Sequence, residues 1–205
     1  MTRRFVILVL SVLSVSAQAQ SGGLGELVQR LRSSDQAVQR QGLMEAVRLP
    51  AGSGRGALGV ELVAALVEIL ESPNYLHRMF AARAIDSVQA DAGAVSSALA
   101  RLARDAGQPG DDQRELGDAR LAAFEALRVV RADRRLLLDL VTEALSDPNP
   151  WVRGGVCMIG ANLRPEAPEL LPRLRELAAS DPDSNVRSQA DFAAKLMEKS
   201  QGGGG

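Results

Sequence analysis

The chain has 205 residues, of which 46% are apolar and 24% charged, a composition typical of a globular protein and not of a disordered one. Its 24 basic and 25 acidic residues nearly cancel, and aromatic residues make up only 3% of the chain. A protein that binds single-stranded nucleic acid is expected to carry a basic surface with aromatic stacking platforms. The composition therefore argues against nucleic acid as the partner.

The amino terminus has the features of a secretory signal peptide. Arg3 and Arg4 precede an apolar run over residues 5–15, and the small residues of "AQA" end at Ala19. The alternative, a retained membrane anchor, is disfavoured because a spanning helix needs about 20 apolar residues. We expect cleavage after Ala19, a periplasmic or secreted protein, and no stable membrane insertion after cleavage. Loss of both arginines leaves 22 basic against 25 acidic residues, a net charge of −3.

Ten amphipathic segments follow as five consecutive pairs. The first members, in chain order, are "LGELVQRLRS", "ELVAALVEILES", "AVSSALARLARD", "RRLLLDLVTEALSD" and "ELLPRLRELAASD". Their apolar residues recur at helical spacing, and no segment has the alternation of a strand. The sequence therefore predicts an all-α protein.

The second segments of the five pairs align on one arginine each, which indicates that the chain is built from internal repeats. These arginines are Arg40, Arg78, Arg120, Arg153 and Arg187, and small or apolar residues lie three and six positions after each. Repeats of this length with two helices form solenoids. We predict an α-solenoid of about five helical hairpins over residues 20–198, followed by a flexible glycine-rich tail over residues 199–205.

The corner "SDPNPWVRGG" at residues 146–155 is predicted to join two helices of one repeat. Asn149 is a favourable N-cap, and Pro150 suits the first helical turn, where a missing N–H costs nothing. Asp147 precedes Arg153 by six residues, and Asp181 precedes Arg187 by the same distance in "SDPDSNVR".

With these residues the chain resembles the HEAT repeat family, including its shorter bacterial HEAT-like members. In that family the aspartate and arginine form ladders between neighbouring repeats, which the resemblance implies for Asp147, Arg153, Asp181 and Arg187. The first three repeats depart from the pattern because Ser34, Ser72 and Arg114 stand at the aspartate position. The family mostly binds proteins, so the resemblance implies an interaction module.

Several motifs invite a catalytic or cofactor reading, and each has a structural alternative. "GRGALG" at residues 54–59 matches a dinucleotide-binding turn but lacks the preceding strand, so a flexible connector is favoured. His77 is the only histidine, and no nucleophile elbow accompanies it. Cys157 is the only cysteine and is predicted to lie on or beside the buried stripe of its helix, where we expect it to behave as a small hydrophobic residue.

The segment 104–118 is longer than the other connections between helices. Its aspartates do not match the spacing of a calcium loop, so we expect a solvated loop. No set of histidines and cysteines suffices for a zinc site. We therefore predict no catalytic residue, no cofactor and no metal.

The predicted binding surface follows from turning each second helix by 100° per residue, starting at its arginine. Positions one, five and eight after the arginine fall opposite the core. An exposed track is predicted on these helices, comprising Met79, Arg83, Asp86, Leu121, Glu125, Arg128 and Met158, with Gly154 and Ala161. The alternative is that some of these side chains are buried between neighbouring repeats.

The leading functional hypothesis is a non-enzymatic, extracytoplasmic scaffold that binds a protein or peptide on the inner helices of the solenoid. Two alternatives are a HEAT-like enzyme of the bilin-lyase or DNA-glycosylase kind and a cargo-specific periplasmic chaperone. The resemblance does not extend to either enzymatic activity. The oligomeric state is left open.

Overall fold

A computed structural model describes residues 23–163 and 167–202 of the chain. The predicted signal peptide at residues 1–19 and the last three glycines of the predicted tail lie outside the described residues. The helices are α1 (23–31), α2 (Gln36–Ala46), α3 (Gly56–Ile69), α4 (Tyr75–Val88), α5 (Ala92–Ala103), α6 (Gln113–Val129), α7 (Arg134–Ala144), α8 (Pro150–Asn162), α9 (Leu171–Ser180) and α10 (Ser184–Gly202). A short 3₁₀ turn at Pro168–Leu170 precedes α9. The described residues contain no strand, so the all-α prediction is confirmed.

Side-chain caps set where the second helix of a repeat begins. Asp35, Asn74, Asp112 and Asn149 accept backbone N–H groups at the starts of α2, α4, α6 and α8. Such a cap satisfies a donor that has no intrahelical partner and stabilises a helix by about 1 kcal/mol. The predicted corner at residues 146–155 is therefore the end of α7, a short turn and the capped start of α8.

The helices form five hairpins, α1–α2 through α9–α10, arranged in two layers. The second helices α2, α4, α6, α8 and α10 pack side by side in chain order, whereas the first helices have few contacts with one another. Closer approach within one layer curves a solenoid toward that layer. We call the layer of second helices the inner layer and the layer of first helices the outer layer.

Small side chains allow the two layers to approach closely. The positions predicted to face the core, three and six residues after each aligned arginine, are all buried to 3% exposure or less: Leu43, Ala46, Ala81, Ala84, Ala123, Ala126, Val156, Ile159, Ala190 and Ala193. Alanine at most of these positions brings helix backbones together without leaving voids. The predicted core of the inner layer is confirmed.

The connector between α2 and α3 explains the glycines of "GRGALG". Gly59 lies in α3 directly against this connector, and a Cβ built on it would lie 2.4 Å from the carbonyl carbon of Gly54. Gly56 has a φ of 75°, which favours glycine. The preceding residues form turns and not a strand, so the glycines serve a close backbone contact between the connector and α3.

The long connection between α5 and α6 is shorter and better anchored than predicted. Residues 113–118 form the first turns of α6, which leaves residues 104–112 as the connection. The Tyr75 hydroxyl donates to Asp111 Oδ2 at 2.5 Å, and Asp105 Oδ1 accepts the backbone N–H of Gly107 at 2.9 Å. The loop is therefore held against α4.

The last helix extends beyond the predicted end of the repeat domain. α10 continues to Gly202, so residues 199–202, assigned to the tail from the sequence, continue the helix. Lys199 lies in the last turn, where a positive charge interacts favourably with the helix dipole, and glycine first appears at Gly202.

Candidate interaction surface

Ion pairs connect the repeats along one edge of the inner layer. Arg153 donates from Nε and Nη2 to the two carboxylate oxygens of Asp181 at 2.8 and 2.9 Å, and from Nη1 to the carbonyl of Asp147 at 2.7 Å. Arg120 pairs with Asp147, and Arg78 pairs with Asp105. Each arginine thus contacts the aspartate that ends the first helix of the next repeat. We call these three pairs the ladder.

The last two ladder pairs, Arg120–Asp147 and Arg153–Asp181, are well shielded from water. Only 11% of the Arg153 side chain and 3% of the Asp181 side chain are exposed. The hydrogen bond from Arg153 holds the pKa of Asp181 below its usual value, and the same bond raises the pKa of Arg153. Arg187, in the last repeat, donates to the carbonyl of Asp181 at 2.7 Å. These residues hold the repeats in register.

The ladder extends further toward the amino terminus than the sequence pattern indicated. The sequence alignment placed Arg114 at the aspartate position of the third repeat, but this residue lies in α6, away from the end of α5. Asp105 takes this role because it follows the end of α5, as Asp147 follows α7, and the inserted loop separates it from Arg120. Counting from the end of the first helix would have identified Asp105.

At the junction between the first and second repeats, uncharged residues occupy the positions of a ladder pair. Gln39 lies four residues after the N-cap Asp35, as Arg153 does after Asn149, and its Nε2 donates to the carbonyl of Leu31 at 2.8 Å. Arg40 is exposed, so its alignment with the other arginines was wrong by one residue. On the facing repeat Ser72 replaces the aspartate.

His77 fills the core of this first junction as a neutral imidazole. It is 1% exposed, and its Nδ1 lies 2.8 Å from Gln39 Oε1. Because the Gln39 amide nitrogen already donates to Leu31, its oxygen must accept, which places the proton on Nδ1. Nε2 has no hydrogen-bond partner among the described residues. Burial first, and the charge of Arg40 second, lower the pKa of His77.

Stability is expected to fall as the pH drops below about 6.5, the ordinary pKa of histidine. Because the folded-state pKa of His77 is lowered, the unfolded chain takes up a proton before the folded chain does, so the contribution of neutral His77 is complete above this pH and is lost toward the folded-state pKa. Linkage limits the slope to about 1.4 kcal/mol per pH unit. Urea unfolding between pH 5 and 8 measures it.

His77→Val provides the control because Val152 and Val186 hold the same position, one residue before Arg153 and Arg187. His77 is the only histidine in the chain. The pH slope between 5 and 6.5 should therefore disappear in His77→Val. An equal slope in both proteins would assign the proton uptake to another group.

The predicted track is only partly exposed, which corrects the assignment of helix faces. Met79 is buried at 9% exposure, and Gly154 and Ala161 are also buried. Leu121 and Met158 are half-buried and pack against the core. Neighbouring inner helices cover these positions: a Cβ built on Gly155 would lie 2.5 Å from both Cδ atoms of Leu121.

The charged members of the track gather between α4 and α6. Arg83 and Arg128 are exposed, while Asp86 and Glu125 are half-buried. Arg128 Nε donates to Glu125 Oε2 at 2.8 Å. Burial first, and the neighbouring Glu125 second, raise the pKa of Asp86. The structure thus brings Asp86, Glu125 and Arg128 into one cluster at the rim of the inner layer.

Exposed and half-buried side chains of the inner layer form a row five residues after Gln39, Arg78, Arg120, Arg153 and Arg187. This row, which we call the inner row, consists of Met44, Arg83, Glu125, Met158 and Phe192. Met44 is 43% exposed and Phe192 is 55% exposed. Position five lies about 35° round each helix from the mean of the predicted positions. Contacts between inner helices bury Met79, Gly154 and Ala161 at positions one and eight, whereas Arg128 remains exposed.

Trp151 is the largest exposed side chain of the inner layer, and the sequence interpretation missed it. It is 45% exposed, and its Nε1 donates to Asp118 Oδ1 at 2.8 Å. Its ring lies over Gly117, where a Cβ would be 2.6 Å from Trp151 Cδ1. The signal for it was present, since a lone tryptophan directly follows a capped helix start in an aromatic-poor chain.

Cys157 has no reactive character in this fold. It is fully buried, its Sγ donates to the carbonyl of Arg153 at 3.2 Å, and burial raises its pKa to about 12. A thiol with this pKa remains protonated, whereas the thiolate is the nucleophile.

No group of three or more histidine, cysteine, aspartate or glutamate side chains in residues 23–163 and 167–202 is arranged to hold a metal ion. None of the described helices combines the length and hydropathy needed to cross a membrane.

Comparison with known proteins supports the architecture. A family model of HEAT repeats matches residues 111–195, which run from the end of the α5–α6 loop into α10. No curated protein matches the chain significantly. The matched segment contains two of the three ladder pairs, and hairpins of the same construction precede it from residue 23. The resemblance is thereby confirmed: residues 111–195 are similar to HEAT repeats, and the chain forms an all-α solenoid.

Proposed function

We propose that this chain is a non-enzymatic, extracytoplasmic scaffold that binds a protein or peptide on its inner layer. HEAT repeats generally serve as protein-interaction scaffolds, because a stack of helical hairpins presents one long continuous surface. The predicted signal peptide at residues 1–19 supports the location outside the cytoplasm. The proposal for the binding surface rests on the exposed aromatic and apolar side chains of the inner layer.

The carrying observation is the exposure of Trp151 and Phe192. The described residues contain only five aromatic side chains, and these two, on neighbouring inner helices, are about half exposed. Tryptophan supplies much of the binding energy at protein interfaces, since a rigid ring buries a large area at little entropic cost. Trp151 is held in place by Asp118 and Gly117, which reduces that cost further.

Half-buried residues of the predicted track extend this surface. Met158 and Leu121 lie beside Gly155 on the same face, and a flexible thioether adapts to irregular partners. Arg83 and the cluster of Asp86, Glu125 and Arg128 form a charged rim, which would set the orientation of a bound chain. Met79 is excluded from the surface because it is buried.

A double substitution, Trp151→Ser with Phe192→Ser, should abolish retention of the partner while leaving the helical content unchanged. Loss of hot-spot side chains typically weakens binding by 2 kcal/mol or more, which is about thirtyfold. A photo-crosslinking residue at position 158 or 192, introduced in the native host, identifies the partner to be retained. Quantitative capture of that partner then gives the relative affinity.

Val60→Ser is the matched control, because Val60 is 63% exposed but lies on the outer helix α3. It should retain the partner fully, and a crosslinker at position 60 should give a different pattern or none. Equal loss in both variants, or crosslinks only from the outer layer, would place the binding surface elsewhere.

The location outside the cytoplasm has its own test. The amino-terminal sequence of the protein isolated from its host should begin at Gln20. A chain that begins at Met1 and fractionates with membranes would contradict export by a cleaved signal peptide.

A further inference from the structure

Trp151 lies in an acidic environment that bears on the chemistry of the bound segment. Residues 111–118, "DDQRELGD", contain four carboxylates and one guanidinium, a net charge of −3 (1 − 4). Asp118 accepts a hydrogen bond from Nε1 of the Trp151 ring, and Glu115 is exposed one turn earlier on α6. The inference below rests on the proposed function and specifies the partner of the same surface.

The position of the Trp151 ring is determined by two contacts. Nε1 donates to Asp118 Oδ1 at 2.8 Å, and the ring occupies space that any side chain at Gly117 would fill. No hydrogen bond or ion pair engages Asp118 Oδ2 among the described residues, so this carboxylate retains an accepting oxygen. A fixed ring beside a carboxylate is the combination that attracts cations.

The ring already accepts a cation from within the chain. The Arg114 guanidinium lies 4.9 Å from the centroid of the Trp151 ring. Arg114 is exposed and makes no ion pair with any described residue. Its side chain is therefore held over the ring mainly by the ring itself and by the surrounding negative charge, and it is free to be exchanged.

We propose that Trp151, Asp118 and Glu115 form the anchor site for an arginine or lysine side chain of the bound protein, and that Arg114 occupies this site in the free chain. Trp151, Gly155 and Met158 recur at positions i, i+4 and i+7 of α8, so they line one face of that helix. The bound segment is thus a basic residue followed by apolar residues that extend along α8.

The test uses the fluorescence of Trp151, the only tryptophan in the chain. The probes are the capped peptide acetyl-Gly-Arg-Gly-Leu-Gly-Leu-amide, the same peptide with glutamate for arginine, and arginine amide alone. The arginine peptide should perturb the emission saturably and the glutamate peptide should not. Arginine amide should bind more weakly than the peptide, which distinguishes a protein segment from a free small amine as the ligand.

Two variants assign the effect to the proposed residues. Arg114→Ala removes the internal competitor and should tighten binding of the arginine peptide by about two- to fivefold. Asp118→Asn keeps an oxygen that accepts from Trp151 Nε1 but removes the charge, and should weaken binding by a similar factor. Arg135→Ala and Glu61→Gln, which make the same charge changes on exposed outer-layer residues, should not change the affinity of the peptide.

The inference is overturned if the glutamate peptide binds as well as the arginine peptide, if arginine amide binds as tightly as the peptide, or if Arg114→Ala behaves like Arg135→Ala. Its failure is separable from that of the proposed function. Crosslinks from positions 158 and 192 to a partner, with no response to the arginine peptide, would leave the scaffold intact and remove the cation site.

Discussion

Arg153→Ala is expected to lower the free energy of unfolding by about 3–5 kcal/mol while leaving the folded chain helical. The substitution leaves the Asp181 carboxylate, whose side chain is 3% exposed, without its bidentate partner. It also removes the donor to the carbonyl of Asp147. A buried charge without a partner costs more than the pair itself contributes. Urea unfolding followed by circular dichroism at neutral pH measures the change.

Arg175→Ala is the matched control. Arg175 pairs with Glu198 within the last repeat, but the two side chains are 60% and 43% exposed, so its loss should cost less than about 1 kcal/mol. The double variant Arg153→Met with Asp181→Leu should recover part of the loss, because neither residue then buries an unpaired charge. If Arg153→Ala costs no more than Arg175→Ala, the ladder is not a source of stability.

The sequence predicted the ladder where the repeats are regular and missed it where they are not. Asp147, Arg153, Asp181 and Arg187 keep a constant offset because no residue is inserted between the two helices of the last two repeats. In the third repeat a nine-residue loop, residues 104–112, separates Asp105 from Arg120. The role of Gln39 was not predicted, because it makes its hydrogen bond to the Leu31 carbonyl through an uncharged amide and not through an arginine.

Helix periodicity predicted the buried side of the inner layer better than its exposed side. The core positions follow from the contact of each helix with its hairpin partner, and small residues mark them at a regular spacing. The second contact, between neighbouring inner helices, depends on how the hairpins stack. This contact between inner helices buries Met79 and leaves Trp151 exposed. The helical wheel of a single helix cannot predict this difference, because it does not include the neighbouring helix.

A second large change in stability is expected where the α2–α3 connector packs against Gly59 of α3. Gly59→Ala should destabilise the protein by about 1–3 kcal/mol, although alanine is the better helix former. A Cβ at this position would lie 2.4 Å from the carbonyl carbon of Gly54 and 2.7 Å from the carbonyl oxygen of Ser53. Both atoms belong to the backbone, so the connector itself must move, unlike a side chain that rotates away.

Gly25→Ala makes the same change in a helix where nothing lies within 4 Å of the new Cβ. There the gain in helix propensity is unopposed, and stability should rise by up to about 1 kcal/mol. The two substitutions should therefore shift the urea midpoint in opposite directions. Stabilisation by both would mean that the connector yields without cost and that the contact between Gly54 and Gly59 does not hold it. Opposite shifts would explain "GRGALG" by backbone packing. Gly59, the third glycine of the motif, would then be required because α3 packs there against the backbone of Ser53 and Gly54.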